Sequence, residues 1–65
     1  MKFSVGDKVK IKKTINNFYQ GKTLQKHTVG TVVAVHTKPA YSKTPYSVTF
    51  QGFPTSYFAE NELKK

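Results

Sequence analysis

The stretch VGTVVAVHTKPAYSKTPYSVTFQGF, residues 29–53, places two runs rich in β-branched and aromatic residues on either side of a polar loop. The second run, YSVTF at 46–50, alternates large apolar with small polar side chains, which is the period of a strand with one buried face. In the first run, GTVVAVH at 30–36, Val32 and Val35 are three residues apart and share a face only if the strand contains a β-bulge. The stretch therefore predicts two strands joined by a loop.

The loop between these two strands is longer than strand geometry requires. It contains nine residues, 37–45, whereas a hairpin loop commonly needs about two to five. Pro39 and Pro45 stiffen the loop and lower the entropy cost of presenting Tyr41 to a partner. We therefore expect the loop to contact a ligand as well as to connect two strands.

The sequence on either side of this stretch predicts two further strands and a closing segment, which makes four or five strands in all. KVKIKK at 8–13 alternates lysine with Val9 and Ile11, which predicts a half-buried strand with its lysines outside. TSYFA at 55–59 follows a turn that contains glycine and proline, and ENEL at 60–63 closes the chain against the core.

Five short strands in a single domain, residues 1–65, predict an all-β fold: a small five-stranded barrel, closed or nearly closed. Residues 14–28 show no clear period and contain asparagine and glycine, so they predict an irregular excursion between strands. The apolar side chains expected inside the barrel are Val5, Val9, Ile11, Val32, Val35, Val48, Phe50, Phe58 and Leu63.

The segments FSVGDKVKI, VGTVVAV, YSVTF and YFAENEL together resemble the small bacterial and phage SH3-like barrels, a group that includes KOW-type and Tudor-like modules. The resemblance covers nearly the whole chain outside residues 14–28 and 37–45. It implies an SH3-like barrel that serves as a binding or accessory module. The chain lacks the ALYDY motif of eukaryotic peptide-binding SH3 domains, and residues 14–28 contain no acidic side chain to pair with a ligand arginine.

The composition restricts the compartment and the chemistry of the protein. The chain has no cysteine, which excludes disulfides and thiolate metal sites. No apolar run approaches the ~20 residues that span a bilayer, and the first residues lack the apolar segment of a signal peptide. We therefore expect a cytoplasmic protein without a membrane span.

The charge of the chain points to an anionic partner. Its net charge of +8 comes from eleven lysines against three carboxylates, and nine of these lysines lie within residues 1–43. Such a field attracts polyanions such as nucleic acid, and it also keeps a small domain in solution. Lysine lacks the bidentate fork by which arginine reads guanine, so nucleic-acid binding should show weak sequence preference.

The candidate binding residues are of two kinds. Lys8, Lys10 and Lys12 should form an outward strip with ammonium groups ~7 Å apart, on the scale of phosphate spacing along a nucleic-acid strand. The two polar loops interleave rings with lysines, which is the combination that single-stranded nucleic acid requires. These loop residues are Phe18, Tyr19, Lys22, Lys26, Lys38, Tyr41 and Lys43. The alternative is that the lysines are a solvated strand face and that the rings close the ends of the barrel.

The sequence predicts no catalytic site, no metal site and no cofactor. Glu60 and Glu62 have no base or nucleophile pattern beside them, and His27 and His36 lack a further ligand of matching geometry. The function predicted is a small, basic, non-enzymatic binding module associated with nucleic acid, without a small-molecule substrate. The alternative is an accessory subunit that docks on a larger complex through its aromatic loops, or on an acidic protein surface.

Overall fold

The computed structural model describes residues 2–65, which form seven short β-strands and two 3-10 turns. The strands are β1 (Lys8–Ile11), β2 (Ile15–Tyr19), β3 (Lys22–Leu24), β4 (Val29–Val35), β5 (Tyr46–Thr49), β6 (Ser56–Phe58) and β7 (Leu63–Lys64). The 3-10 turns are Pro39–Tyr41 and Glu60–Glu62. The described part of the chain contains no α-helix, which confirms the predicted all-β class.

Five of the strands form one antiparallel sheet in the order β6-β5-β4-β1-β7, and β2 pairs with β3 in a separate ribbon. The sheet is open, because its outer strands β6 and β7 are not hydrogen-bonded to each other. The structure therefore differs from the predicted five-stranded barrel in two respects. It has seven strands, and within residues 2–65 the hydrogen-bonded ladder does not close.

The two additional strands lie in residues 14–28, so the prediction of an irregular excursion there was wrong. The pairing of β2 with β3 shifts its register between Ile15 and Tyr19. Asn17 lies within β2 with a positive φ of 54°, and Gln20 and Gly21 make the turn with φ of 49° and 76°. An irregular residue inside a strand interrupts the two-residue alternation, which is why the sequence pattern showed no period.

β4 is the middle strand of the sheet and pairs with a different neighbour along each part of its length. Residues 29–31 pair with β1, and residues 31–35 pair with β5. The register with β5 shifts between Val32 and Ala34, which confirms the predicted β-bulge. The bulge turns Val32 inward, where it is fully buried, and leaves Val35 partly buried against the same core.

The core lies on the inner face of the sheet and is covered by the β2–β3 ribbon. Its buried apolar residues are Phe3, Val9, Ile11, Leu24, Val32, Tyr46, Val48, Phe50, Phe58 and Leu63. Seven of the nine predicted core residues are among them, and Val35 packs at their edge. Val5 was predicted to be buried but is 64% exposed, because Phe3 occupies the inward position of this segment.

Tyr46 anchors the N-terminal segment to the core. Its ring is fully buried and meets the ring of Phe3 edge to face, with centroids 5.3 Å apart. Its hydroxyl oxygen accepts hydrogen bonds from the backbone N–H groups of Lys2 at 3.0 Å and Phe3 at 3.3 Å. A buried tyrosine thus supplies the acceptor that these extended residues need outside the sheet.

Gly30 lies where the ring of Phe50 crosses β4. A β-carbon at Gly30 would lie 2.7 Å from two ring carbons of Phe50 and 2.8 Å from the carbonyl oxygen of Thr49. Side chains do not fit at such distances, so the sequence needs glycine here for space rather than for its backbone angle. The missing side chain is what allows the Phe50 ring to fill the core beside β4.

We expect Gly30→Ala to lower the free energy of unfolding by about 1–3 kcal/mol, which is the usual cost of overpacking a core. In a domain of this size, each kcal/mol corresponds to a melting temperature about 4–8 °C lower. The double variant Gly30→Ala/Phe50→Leu should lose less stability than the sum of the losses of the two single variants, because leucine removes the ring atoms that clash. Thermal unfolding of the four proteins measures this coupling, and strictly additive losses would show that the ring does not set the constraint.

The turn before β1 is closed by Asp7. The backbone N–H of Ser4 donates to the Asp7 carboxylate at 2.9 Å, and the Lys65 ammonium lies 3.1 Å from the same oxygen. The hydrogen bond from Ser4, and then the interaction with Lys65, hold the pKa of Asp7 below its ordinary value. The turn is therefore stabilised by the ionised form of the carboxyl group.

The stabilisation by Asp7 should depend on pH. A carboxyl group whose pKa is lower in the folded state stabilises the fold above its unfolded pKa of about 4, and this contribution is lost as the pH falls through the folded pKa. Asp7→Asn should therefore be less stable than the parent at pH 7, and the difference should vanish in strong acid. Lys65→Gln keeps the Ser4 hydrogen bond and should lose less stability. Urea unfolding of the three proteins across this range checks the order.

Candidate functional site

Two of the predicted lysines project from the outer face of the sheet, the face opposite the core. Lys8 and Lys10 alternate along β1 with the buried Val9 and Ile11. The Lys8 ammonium donates a hydrogen bond to the hydroxyl oxygen of Thr31, its cross-strand partner, at 2.8 Å. Cross-strand partners share a face of the sheet, so the lysines and the outward residues of β4 belong to one surface.

Lys12 follows β1 and remains attached to the sheet. Its backbone N–H donates to the carbonyl oxygen of Glu62 at 3.0 Å, and its side chain is exposed. Lys12 and Lys13 border a cavity of about 250 Å³ whose apolar wall includes Ile15 and Phe58. The three lysines predicted as a strip therefore all lie on β1 or directly after it.

Three rings meet at the opposite edge of the sheet, and we call them the ring cluster: His36, Tyr41 and Tyr57. Their centroids are 4.6 Å apart for His36 and Tyr41, 5.3 Å for His36 and Tyr57, and 5.5 Å for the two tyrosines. Tyr57 is 52% exposed, and the other two rings are half-buried. The cluster thus presents aromatic surface to solvent.

The loop 37–45 holds Tyr41 in place. A 3-10 turn begins at Pro39, and successive backbone hydrogen bonds run from Tyr41 to Lys38 at 2.9 Å and from Thr44 to Tyr41 at 3.1 Å. The sequence therefore fixes the ring by proline and local hydrogen bonds, in agreement with the expectation of a stiff loop.

His36 is fixed from the sheet. Its Nε2 atom shares a 2.7 Å hydrogen bond with the hydroxyl group of Ser47, which is buried. Ser47 is also the cross-strand partner of Tyr57 on β6. One small polar residue on β5 thus positions the histidine and lies beside the tyrosine, so the cluster is ordered before any ligand arrives.

The ring cluster and the β1 lysines share the outer face of the same sheet. Tyr57 lies opposite Ser47, and Ser47 opposite Ala34. Thr31 lies opposite both Lys8 and Thr49. β6 and β1 are three strands apart in the sheet order, which is roughly 14 Å at the usual strand spacing. A single extended ligand can therefore reach from the rings to the lysines.

The lysines of the loop flank the ring cluster. Lys38 and Lys43 are both exposed, and they border an open groove of about 580 Å³ between the loop and residues 59–61. Glu60 lies on the other wall of this groove, with its carboxylate 3.4 Å from the hydroxyl group of the buried Tyr46. Of the predicted loop residues, Lys38, Tyr41 and Lys43 are thus brought together.

The predicted residues of the first loop lie elsewhere. Phe18, in β2, is half-buried and packs against Phe53 and Phe58 with ring centroids 5.5 Å and 6.0 Å apart. This is the placement of a ring that closes one end of the core. Tyr19 and Lys22 are exposed at the tip of the β2–β3 hairpin. Lys26 is exposed beyond β3, in the turn before β4.

The binding residues predicted from the sequence include Tyr41 but neither His36 nor Tyr57. Tyr57 was noticeable as an exposed aromatic position next to the apolar Phe58, but nothing in a single sequence gives the register of β5 against β6. The alternation of side chains could have indicated the position of Tyr57. In a hairpin in which Tyr46 and Phe58 both face inward, Ser47 and Tyr57 both face outward.

Residues 2–65 contain neither a cluster of metal-ligating side chains nor a membrane-spanning helix. There is no group of three or more His, Asp or Glu side chains arranged to hold a metal ion within this part of the chain. None of its helical segments has the length and apolar character required to cross a membrane.

Comparisons with protein-family models, with curated proteins and with solved structures gave no match for this chain.

We expect the ring cluster to contribute little to folding. Tyr57→Ala should lower the free energy of unfolding by about 0.5–1.5 kcal/mol, the value of an aromatic contact, because the ring is half in solvent. Phe58→Ala is the matched control, since this neighbouring ring is 2% exposed and its removal should cost about 3–5 kcal/mol. Equal losses in urea unfolding would show that the cluster belongs to the core and is not a free surface.

Proposed function

We propose that the protein is a small, basic, non-enzymatic module that binds single-stranded nucleic acid with weak sequence preference. The observation that carries this proposal is the ring cluster, exposed and held in place on the same sheet face as Lys8 and Lys10. The proposal includes the cytoplasmic location and the absence of a small-molecule substrate that the sequence predicts.

The ring cluster suits stacking on bases. Every base has an aromatic face, so stacking on tyrosine or histidine is favourable without selecting a sequence, at about 1–3 kcal/mol per base. The rings are ordered by the 3-10 turn and by Ser47 before binding, which reduces the entropy that binding must overcome. None of the three rings belongs to the hydrophobic core of this protein, so packing of the core does not account for them.

The lysines suit the phosphate backbone. Lys38 and Lys43 lie beside the rings, and Lys8 and Lys10 lie on β1, three strands away from β6 in the sheet. An extended single strand of a few nucleotides is long enough to contact both groups of lysines. Lysine contributes charge without reading base edges, so the expected preference among sequences is weak.

We also propose that the fold is of the SH3-like type implied by the sequence motifs. Three features support this: one five-stranded sheet around a single core, a bulge in the middle strand, and Gly30 at the close approach of Phe50. Bulges and glycines at such positions are the means by which a small sheet curves toward closure. The β2–β3 ribbon then covers the open side of the sheet.

The proposal is tested by fluorescence anisotropy with labelled oligothymidylate and oligouridylate at ~50 and ~200 mM salt. The parent protein should bind both, with affinity falling steeply as salt rises. Changing Lys8, Lys10 and Lys12 together to glutamine should reduce the slope of log affinity against log salt by about 2, since each lost contact removes roughly 0.7 for a single strand. The melting temperature should stay almost unchanged.

The matched control for this triple variant has the same net charge but removes lysines outside the proposed surface. It changes Lys2, Lys13 and Lys22 to glutamine and should keep most of the slope. Tyr41→Ala should weaken binding by roughly 5- to 150-fold at an unchanged slope, while Tyr19→Ala, an exposed tyrosine on the hairpin, should not. Equal losses for the two triple variants, or no loss for Tyr41→Ala, would contradict the proposed surface.

One observation favours the second candidate function, docking on another protein. Val29 is 52% exposed and Val33 is 43% exposed, and Tyr57 is also half in solvent. Exposed apolar side chains of this size are typical of protein contact surfaces. If the protein is an accessory subunit of this kind, it should not bind the oligonucleotides even at low salt. The same anisotropy experiment therefore separates the two candidates.

A further inference from the structure

The turn between β3 and β4 is held rigidly against β1. The backbone N–H of His27 donates to the carbonyl oxygen of Ile11 at 3.0 Å, and that of Lys26 donates to the hydroxyl oxygen of Thr14 at 3.0 Å. Thr28 bonds twice to the carbonyl oxygen of Gln25, through its backbone N–H at 3.1 Å and its hydroxyl at 2.6 Å. The side chains of Lys26 and His27 thus extend from a backbone that is held by hydrogen bonds.

His27 adopts a backbone conformation that few residues tolerate. Its φ of 70° lies in the left-handed region, in which histidine and asparagine are enriched among residues other than glycine. Glycine would fit this turn with less strain. The backbone therefore does not explain why a histidine side chain stands at this position.

The strands beside the turn bring two further lysines together. Lys10 on β1 and Lys64 on β7 are directly opposite in the antiparallel register. Like charges directly opposite each other destabilise a sheet. We call Lys10, Lys26, His27 and Lys64 the basic quartet.

The carboxylates of the chain are engaged elsewhere and do not neutralise the basic quartet. Asp7 pairs with Lys65. Glu62 accepts a hydrogen bond from the backbone N–H of Ala59 at 2.8 Å, and Glu60 lies against the Tyr46 hydroxyl group. The chain has three acidic side chains, so the repulsion within the basic quartet can be relieved by an anion from outside the chain.

We propose that the basic quartet is a binding site for a phosphate group, in which protonated His27 adds a fourth positive charge to the three lysines. The inference builds on the proposed function, because a phosphodiester of the bound strand is the expected ligand, although a free phosphate ion has the same chemistry. Binding is therefore tighter in mild acid than at neutral pH.

The electrostatics of the site agree with its geometry. The charge of Lys64, then the partial loss of hydration, and then the charges of Lys26 and Lys10 hold the pKa of His27 below its ordinary value. These three lysines lie on β7, in the turn of His27 itself and on β1. A bound phosphate offsets their charge and raises the pKa of His27. By linkage, each unit of that rise makes the protonated protein bind ten-fold more tightly than the neutral one.

The first test is an NMR titration of the two histidine rings of the parent protein. The pKa of His27 is measured in chloride, in inorganic phosphate at equal ionic strength, and with saturating oligothymidylate, whose phosphodiesters do not titrate in this range. It should rise in phosphate and in oligothymidylate. His36 is the internal control, because it lies outside the basic quartet and its ring signals at a given pH should be the same in chloride and in inorganic phosphate.

Variants then assign the effect to the basic quartet. Lys64→Gln should raise the pKa of His27 in chloride and diminish the further rise that phosphate causes, whereas Lys43→Gln, of equal charge, should change neither. His27→Asn retains a side chain that tolerates the left-handed backbone, and it should reduce the gain in oligothymidylate affinity between pH 7.5 and pH 5.5 that the parent shows. The titration of the parent needs no variant, so it tests phosphate binding at the basic quartet even if a variant does not fold.

The outcomes for the site and for the function can be told apart. A rise in the pKa of His27 with inorganic phosphate, without oligothymidylate binding, supports the site with free phosphate as its ligand and contradicts the nucleic-acid function. A rise with oligothymidylate alone supports the site with a phosphodiester as its ligand. An unchanged pKa of His27 in both arms overturns the site, even where oligothymidylate binds through the ring cluster.

Discussion

The contact of the Phe50 ring with the bare backbone of Gly30 is the constraint on which the rest of the structure depends. It lies on β4, the strand that joins the β1 side of the sheet to the β5 side. If the ring could not enter here, the inner face of the sheet would lose one of its largest buried side chains. The bulge after Val32 is also needed, because it allows β4 to direct apolar side chains toward the core both before and after the bulge.

The outer face follows from the inner one. Because Val9 and Ile11 are buried, Lys8 and Lys10 must project outward, and because Tyr46 and Phe58 are buried, Tyr57 must do so at the other edge. The surface that we propose to bind nucleic acid is therefore the complement of the core pattern. We expect substitutions on this surface to change the free energy of unfolding little, so the charge and aromatic character of its residues can serve binding.

The sequence predicted the elements whose pattern is local, and it failed where the deciding contact is distant. Alternation gave the inward positions of β1 and β5, and the spacing of Val32 and Val35 gave the bulge. Phe3 and Leu24 were missed, because their burial depends on the distant Tyr46 ring and on a hairpin whose irregular residue hides its period. The ring cluster was recognised only through Tyr41, since its other two members join it through strand register. The basic quartet was missed for the same reason.

The pairing of β1 with β7 determines how this protein reaches its native state. The pairs Lys10 with Lys64 and Ile11 with Leu63 join residues separated by most of the chain, whereas β2–β3 and β5–β6 join near neighbours. The entropy of closing so long a loop must be overcome before Leu63 contributes any burial, which is the reason that all-β domains with distant pairings fold in milliseconds to seconds. We therefore expect β7 to dock late in folding. Until then the apolar edge at Ile11 stays open, and this interval is when the chain is most exposed to association with other chains.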